Sequence, residues 1–469
     1  MKKHHFGYEL ELLFDSLLNN IAEIRFDYIN FDNIVFLLTE IEDVCSEVLR
    51  PEKFSEVAYI ISSLKKLTQT ETVSASNEYD FGQEKKLYID IAKELLRISC
   101  DKKNQKKVIF FLPYKASMWD SLESIWECAE NDKANCIPIV VSLPYFELSA
   151  TGKPKSFECE MEKYPQNVSV ESWEDYPWAK LRKIKPDCIF IHNPYDNTNM
   201  VTSVDGQYHS GKLKECTEQL VYVPYYVSEK VTGEIFCQVP GIRNADYIIT
   251  HDEANRQQFL RFRTENESEE KFQALGSPKI DKVRWPKQTD LAMPANWDKM
   301  AKGKKIILYN SSLGDISNNI DKLCTKMKNV FELYRNADDC LLWWRPHPLV
   351  EVTLQVKNTY VYNEYMRLKK DFIKGQYGIY DDTSELTRAI ICSDIYYGDH
   401  SSVAALYRET GKCVIYQDYD CLTREISISD IQMIYQEEEN TSSTGADVKA
   451  GQKIYEFCMS KLMMENEGV

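Results

Sequence analysis

Apolar residues in the first hundred positions recur at helical spacing. Ile34, Leu37, Ile41, Val44 and Val48 fall on alternating three- and four-residue steps, which puts them on one helical face, and Pro51 follows as a stop. A second stripe, Phe54, Val57, Ile61 and Leu64, comes directly after it. The polar stretch "TQTETVSASNEYD" breaks the period and reads as a loop before a further helix, starting near Phe81 and carrying Leu87, Ile91 and Leu95. Together these predict a helical N-terminal region over residues 1–104, suited to packing on the rest of the chain or to joining copies of it in a homo-oligomer.

The period changes after "DKKNQKK". "VIFFL", "CIPIVVS", "DCIFI", "LVYV" and "DYIIT" are short, continuous apolar runs of the kind shown by strands buried on both faces, with helical patterns such as Leu122, Ile125, Trp126 and Ala129 between some of them. After a polar, Pro-containing linker near 284–303, a second set follows: "IILYN", "CLLWW", "YGIYD", "DIYYGD" and "CVIYQ". The expected fold class is α/β, with two Rossmann-like, doubly wound parallel domains in tandem over 105–290 and 300–445. A C-terminal helix over 446–469, amphipathic from Ile454 to Met463, follows the low-complexity loop "EEENTSSTGAD".

Composition narrows the function. With 469 residues, 43% hydrophobic and 28% charged, the chain is a multidomain globular protein. Its net charge of −16 argues against a protein that grips duplex nucleic acid through phosphates. The 14 Cys include no CxxC pair and sit mostly in apolar runs, which favours reduced, buried thiols in a cytoplasmic protein over zinc or disulfides. No signal peptide is visible, and no run reaches the roughly 18 apolar residues of a membrane-spanning helix. Membrane contact, at the inner face of the cell membrane, would be peripheral and would use local basic stretches such as "DKKNQKK" or "AKLRKIKP".

Parallel sheets bind ligands beyond the carboxyl ends of their strands. In "SDIYYGDHSSV" a strand ends at Gly398 and Asp399, His400, Ser401 and Ser402 form the turn into a helix, where hydroxyls and first-turn amides suit a phosphate. In "LLWWRPHPL", Arg345 and His347 follow a strand and are stiffened by Pro346 and Pro348; a guanidinium and an imidazole suit phosphate binding and proton exchange. "ALGSPKID" offers Gly276 and Ser277, and "ILYNSSLGD" offers Asn310, Ser311 and Ser312, at further strand ends. In the first domain, "DCIFIHNPYDN" brings His192, Asn193, Tyr195 and Asp196 to a strand end, Asp196 as an acceptor of a proton; "LVYVPYY" brings Tyr225 and "YIIT" brings His251. Each has a plainer reading as turn or cap chemistry. GxGxxG, GxxxxGK[ST], HExxH, GxSxG and DxD are all absent, which leaves a transferase needing no metal or cofactor, in which protein groups neutralise phosphate.

The order "LGSPKID", "ILYNSS", "RPHP", "DDTSELTRAIICSDIYYGDHSSV", "GKCVIY" resembles the CDP-glycerol glycerophosphotransferase family, the teichoic acid polymerases and primases of GT-B fold. The resemblance spans roughly Ala274 to Gln417 and touches the first domain only in outline. It implies transfer of glycerol phosphate, or a related polyol phosphate, from a CDP-linked donor to a hydroxyl of a lipid-linked or polysaccharide acceptor. The donor would lie against Arg345, His347, Ser401 and Ser402, with Asp399 and Gly276 lining the cleft. Three places depart from the family: His400 replaces the Tyr of "DYSS", "VYVPYYV" replaces "HGTPLK" without its His, and "NSSLG" lacks the Arg of "APT.R". Asp196 then substitutes as base, with His347 and His400 the other candidates for proton transfer, and Asn193, Tyr195 and Tyr225 for acceptor binding. Two alternatives share the fold: a glycosyltransferase using a nucleotide sugar, and a non-catalytic assembly factor whose partner surface is the helical N-terminus.

Overall fold

A computed structural model describes residues 4–24, 31–70, 78–149, 151–199, 201–227, 233–335, 337–383, 385–420 and 448–464. The loop expected at 68–80 falls partly outside these residues, and "EEENTSSTGAD" wholly so.

Among the described residues, the helices Gly7–Glu23, Asp32–Val48, Pro51–Thr70 and Glu78–Cys100 come first. They close on one apolar cluster that includes Leu10, Phe14, Ile41, Val57, Ile61 and Leu95. Ile34, Ile41, Val44 and Val48 are buried as expected, with Leu38 in place of Leu37 between them; in the fourth helix Leu95 is buried, while Tyr88 and Ala92 take the inner places and Leu87 is 56% exposed. The bundle packs as a unit, so the side it turns inward is set by its neighbours as well as by its own stripe. Lys106 N–H to Val48 O (2.8 Å) and Arg50 N–H to Asn104 O (3.0 Å) tie the bundle to the first strand.

Among the described residues fifteen strands follow, in chain order β1 (Lys107–Leu112), β2 (Cys136–Val141), β3 (Tyr145–Leu148), β4 (Pro154–Glu158), β5 (Val170–Glu171), β6 (Cys188–Ile191), β7 (Thr202–Val204), β8 (Gln219–Tyr222), β9 (Tyr247–Thr250), β10 (Phe272–Ala274), β11 (Lys305–Ser311), β12 (Cys340–Pro346), β13 (Gly378–Tyr380), β14 (Ile395–Gly398) and β15 (Val414–Tyr416). The first parallel sheet runs β10-β9-β8-β6-β1-β2-β5 and the second β13-β12-β11-β14-β15. Both bury both faces, which is why their strands read as unbroken apolar runs. In β1, Phe110 and Leu112 enter one cluster and Ile109 and Phe111 another; in β11, Ile307 and Tyr309 divide from Ile306 and Leu308 in the same way. Two Rossmann-like domains in tandem behind a helical region make up the GT-B-like α/β architecture. A small antiparallel sheet, β4-β3-β7, was not expected, because its strands are short and half exposed and carry no apolar run.

The chain's last helix, Ala450–Met464, returns to the first domain. Ile454, Cys458 and Leu462 join the cluster of Ile109 and Phe111. The Asp281 carboxylate fastens its start, accepting from Ala450 N–H (2.8 Å), Gly451 N–H (2.8 Å) and Ser124 Oγ (2.7 Å).

Candidate functional site

In the second sheet the connections run one way from β11 through β12 to β13 and the other way from β14 to β15, so β11 and β14 flank the switch point. The register sets Asn310 beside Gly398 on one side and Arg345 on the other. The junction is tight: a Cβ on Gly398 would lie 2.1 Å from Asn310 O, so no larger residue fits. Asn310 Nδ2 donates to Arg345 O at 2.8 Å, and Asn310 Oδ1 faces Ser401 Oγ at 3.3 Å. Tyr396 places its phenol proton on Asp399 O at 2.6 Å, and Ser401 caps the helix Ser402–Arg408 by accepting from Ala404 N–H at 3.2 Å. Four sequence candidates, Asn310, Ser312, Asp399 and Ser401, are thus joined in one network. Ser311 is buried at the end of β11, and Ser402 is exposed in the first turn of its helix.

Asp399 is 2% exposed. It accepts from Ser312 N–H at 2.6 Å and from Gln417 Nε2, and Tyr419 OH stands 3.5 Å away. Burial pushes its pKa up to about 7 against the pull of these donors. A carboxyl that titrates near neutrality at a strand end is suited to holding or moving a proton.

Arg345 turns both of its terminal nitrogens to protein acceptors. Nη1 donates to Asp381 Oδ2 at 2.6 Å and Nη2 to Thr383 O at 2.7 Å, and the buried Asp381 also accepts from Trp343 Nε1 (3.0 Å) and Thr383 N–H (2.9 Å). In this structure the guanidinium joins the ends of β12 and β13. His347 accepts at Nδ1 from Leu349 N–H at 3.1 Å, so Nε2 carries the ring proton. Burial lowers its pKa, which keeps the ring neutral and a donor. His400 is exposed, with its ring stacked on Tyr416 at 3.6 Å between centroids.

At the first domain's switch point, between β1 and β6, His192 is fully buried. Nε2 accepts from Tyr114 N–H at 3.2 Å, Nδ1 lies 3.2 Å from Met118 O, and burial pushes the pKa down to about 3, so this histidine is a neutral structural link. Asn193 accepts from Tyr195 N–H at 3.3 Å, an Asx turn. Asp196, at φ 50°, has both oxygens occupied: Ser210 N–H contacts them at 3.0 and 3.1 Å and Ser210 Oγ donates at 2.7 Å. Asp196 therefore fastens the 193–196 turn to the helix Ser210–Lys214 and lies buried at 6% exposure. Tyr195 meets Phe236 edge-on at 5.9 Å, and Tyr225 meets His192 at 6.4 Å.

A small pocket opens at the carboxyl ends of β8, β9 and β10, lined by Tyr226, His251, Asn255, Gly276 and Ser277 among others. Ser277 Oγ is buried there without a hydrogen-bond partner. Gly276 has φ 99°, and a Cβ on it would lie 2.7 Å from Ala450 Cβ, so the returning C-terminal helix requires glycine at this point. His251 Nε2 lies 3.0 Å from Asp252 Oδ2, and Asp252 itself caps the following helix by accepting from Asn255 N–H at 2.6 Å. Among the described residues no three His, Cys, Asp or Glu side chains group as a metal site.

No family model and no curated protein matches the chain. Among solved structures, the wall teichoic acid polymerase TagF soaked with CDPG gives a TM-score of 0.48 at 16% identity, over 80% of this chain and 94% of that one. A UDP-GlcNAc 2-epimerase from Methanocaldococcus jannaschii gives 0.47 at 13% identity, over 76% and 99%. A complex of MnaA with UDP from S. aureus gives 0.44 at 14% identity, over 76% and 97%. Likenesses of this degree carry nothing about reaction or substrate.

Proposed function

We propose that the chain is a metal-independent transferase that takes a nucleotide-diphosphate-linked donor at the carboxyl ends of β11 and β14. CDP-glycerol or a related CDP-polyol is the donor, and a hydroxyl of a lipid-linked or cell-surface polymer is the acceptor. The observation that carries the reading is the convergence of Asn310, Ser312, Asp399 and Ser401 at the switch point, the place where open parallel sheets bind phosphate-bearing ligands. The order of motifs in this domain supplies the donor class.

The His347 Nε2–H donates to the pyrophosphate, and the hydroxyls of Ser401 and Ser402 face its oxygens. The acceptor oxygen attacks the β-phosphorus, the bond to the bridging oxygen breaks, and CMP leaves with the electron pair. Fixed donors around the moving charge supply most of the acceleration. The acceptor's proton goes to His251, whose ring is oriented by Asp252 as in other carboxylate–histidine pairs. The work takes place in the cytoplasm, at the inner face of the membrane that holds the acceptor.

Isothermal titration with CDP-glycerol, CDP-ribitol, UDP-sugars and GDP-sugars tests the donor. Tight binding of a UDP- or GDP-sugar with no CDP compound bound refutes it. The glycosyltransferase reading shares the site and is separated by product, a nucleoside diphosphate instead of CMP. One observation favours an assembly factor without catalysis: Arg345 and Asp196 are both committed to protein partners. Full biological activity in a His347→Ala strain would select that reading.

A further inference from the structure

The two basic stretches at 101–107 and 179–186, far apart in sequence, meet around one cavity of about 450 Å3. It lies at the amino ends of β1 and β2, where Val108 and Ile137 line it, between the first helix and the helix Trp178–Ile184. That is the opposite end of the strands from the carboxyl-end turns described above. Lys102, Lys106, Arg182, Lys183 and Lys185 line it, against two carboxylates, Glu11 and Asp187. Asp187 is already satisfied, by Lys107 Nζ at 3.2 Å and Val108 N–H at 2.8 Å. Lys102 is likewise paired, with Glu218 at 2.7 Å, whereas Lys183 and Lys185 are exposed and make no ion pair among the described residues. A chain of net charge −16 has therefore concentrated cations at one concave place.

The remaining wall is apolar, including Phe6, Val48, Ile184 and Leu12, which is 62% exposed. Cations beside an apolar wall fit an anion that carries an aliphatic chain, and the volume lies within the range of small-molecule sites. We propose that this cavity binds an amphiphilic phosphate, its head among Arg182, Lys183 and Lys185 and its chain along Leu12 and Ile184. The proposal does not depend on the transferase reading.

The test titrates the full chain with dodecyl phosphate and with inorganic phosphate, and sediments it with phosphatidylcholine vesicles containing phosphatidylglycerol. Dodecyl phosphate is expected to bind at least tenfold more tightly than inorganic phosphate. The Lys183→Glu/Lys185→Glu double variant should weaken it about tenfold, whereas Lys299→Glu, an exposed lysine on the helix Ala295–Ala301, should not. Leu12→Asn should weaken dodecyl phosphate and leave inorganic phosphate unchanged; all variants are checked by thermal melting. Sedimentation that is lost in the double variant identifies a membrane lipid as the source of the phosphate. Dodecyl phosphate binding without sedimentation identifies a free amphiphile. Dodecyl phosphate binding that ignores the double variant, or that is no tighter than inorganic phosphate, overturns the proposal, as does sedimentation without dodecyl phosphate binding.

Discussion

Arg345 and Asp381 meet at 2.6 Å, with the Asp381 side chain fully buried and that of Arg345 only 11% exposed. The pair turns a residue placed by sequence in the donor site into the brace that holds the ends of β12 and β13 together.

Removing the guanidinium leaves Asp381 buried with three neutral donors, Trp343 Nε1 and the Thr383 backbone N–H and hydroxyl, in place of a cation. Arg345→Ala is expected to cost about 3–5 kcal/mol of stability in the absence of any ligand. Chemical unfolding measures it; a variant as stable as the parent but blind to the donor would restore Arg345 to the phosphate.

Asp399 couples stability to pH. Its folded pKa of about 7 is above the ordinary carboxylate value near 4, so the folded state holds the proton more tightly. The stability it contributes is complete below pH ~4 and is lost as pH rises through about 7. Urea unfolding from pH 4 to 8 should show this decline, a few kcal/mol at most, in the parent and its loss in Asp399→Asn. Identical pH profiles for the two proteins would count against it.

His347 and His251 should separate by their effects. His347→Asn keeps an acceptor for Leu349 N–H but loses the outward donor, so donor affinity and turnover both fall, turnover by about 10²–10³. His251→Gln should leave donor affinity unchanged and lower turnover by about 10²–10⁴. Titration calorimetry beside a CMP-release assay reads both, and weakened donor binding in His251→Gln would remove it from the acceptor side.

Asp281 anchors the returning helix through two backbone amides and the Ser124 hydroxyl. Asp281→Ala should speed amide exchange over residues 450–464 more than elsewhere, at a cost of about 1–3 kcal/mol. Exchange that rises evenly along the chain would mean that Ile454, Cys458 and Leu462 hold the helix without it.

Local pattern was enough to determine the kinds and order of the elements of the helical bundle and of most of the two parallel sheets, though not the small sheet β4-β3-β7. A strand buried on both faces needs an apolar side chain at nearly every position, so β1, β6, β11 and β14 were visible as runs, and the carboxyl ends of β11 and β14 located Asn310, Asp399 and Ser401. The helical stripes were legible to within about one residue. Only the tertiary structure decided which strands are neighbours, and hence that β11 and β14 flank the switch point. It also decided which partner each polar group takes: Asp381 for Arg345, Ser210 for Asp196, and a backbone amide for Nδ1 of His347. It brought 101–107 and 179–186 to one cavity as well. The physical reason is range. Periodicity reports how a residue is buried relative to its chain neighbours, whereas a hydrogen bond or ion pair is chosen among groups that only folding brings within about 3 Å.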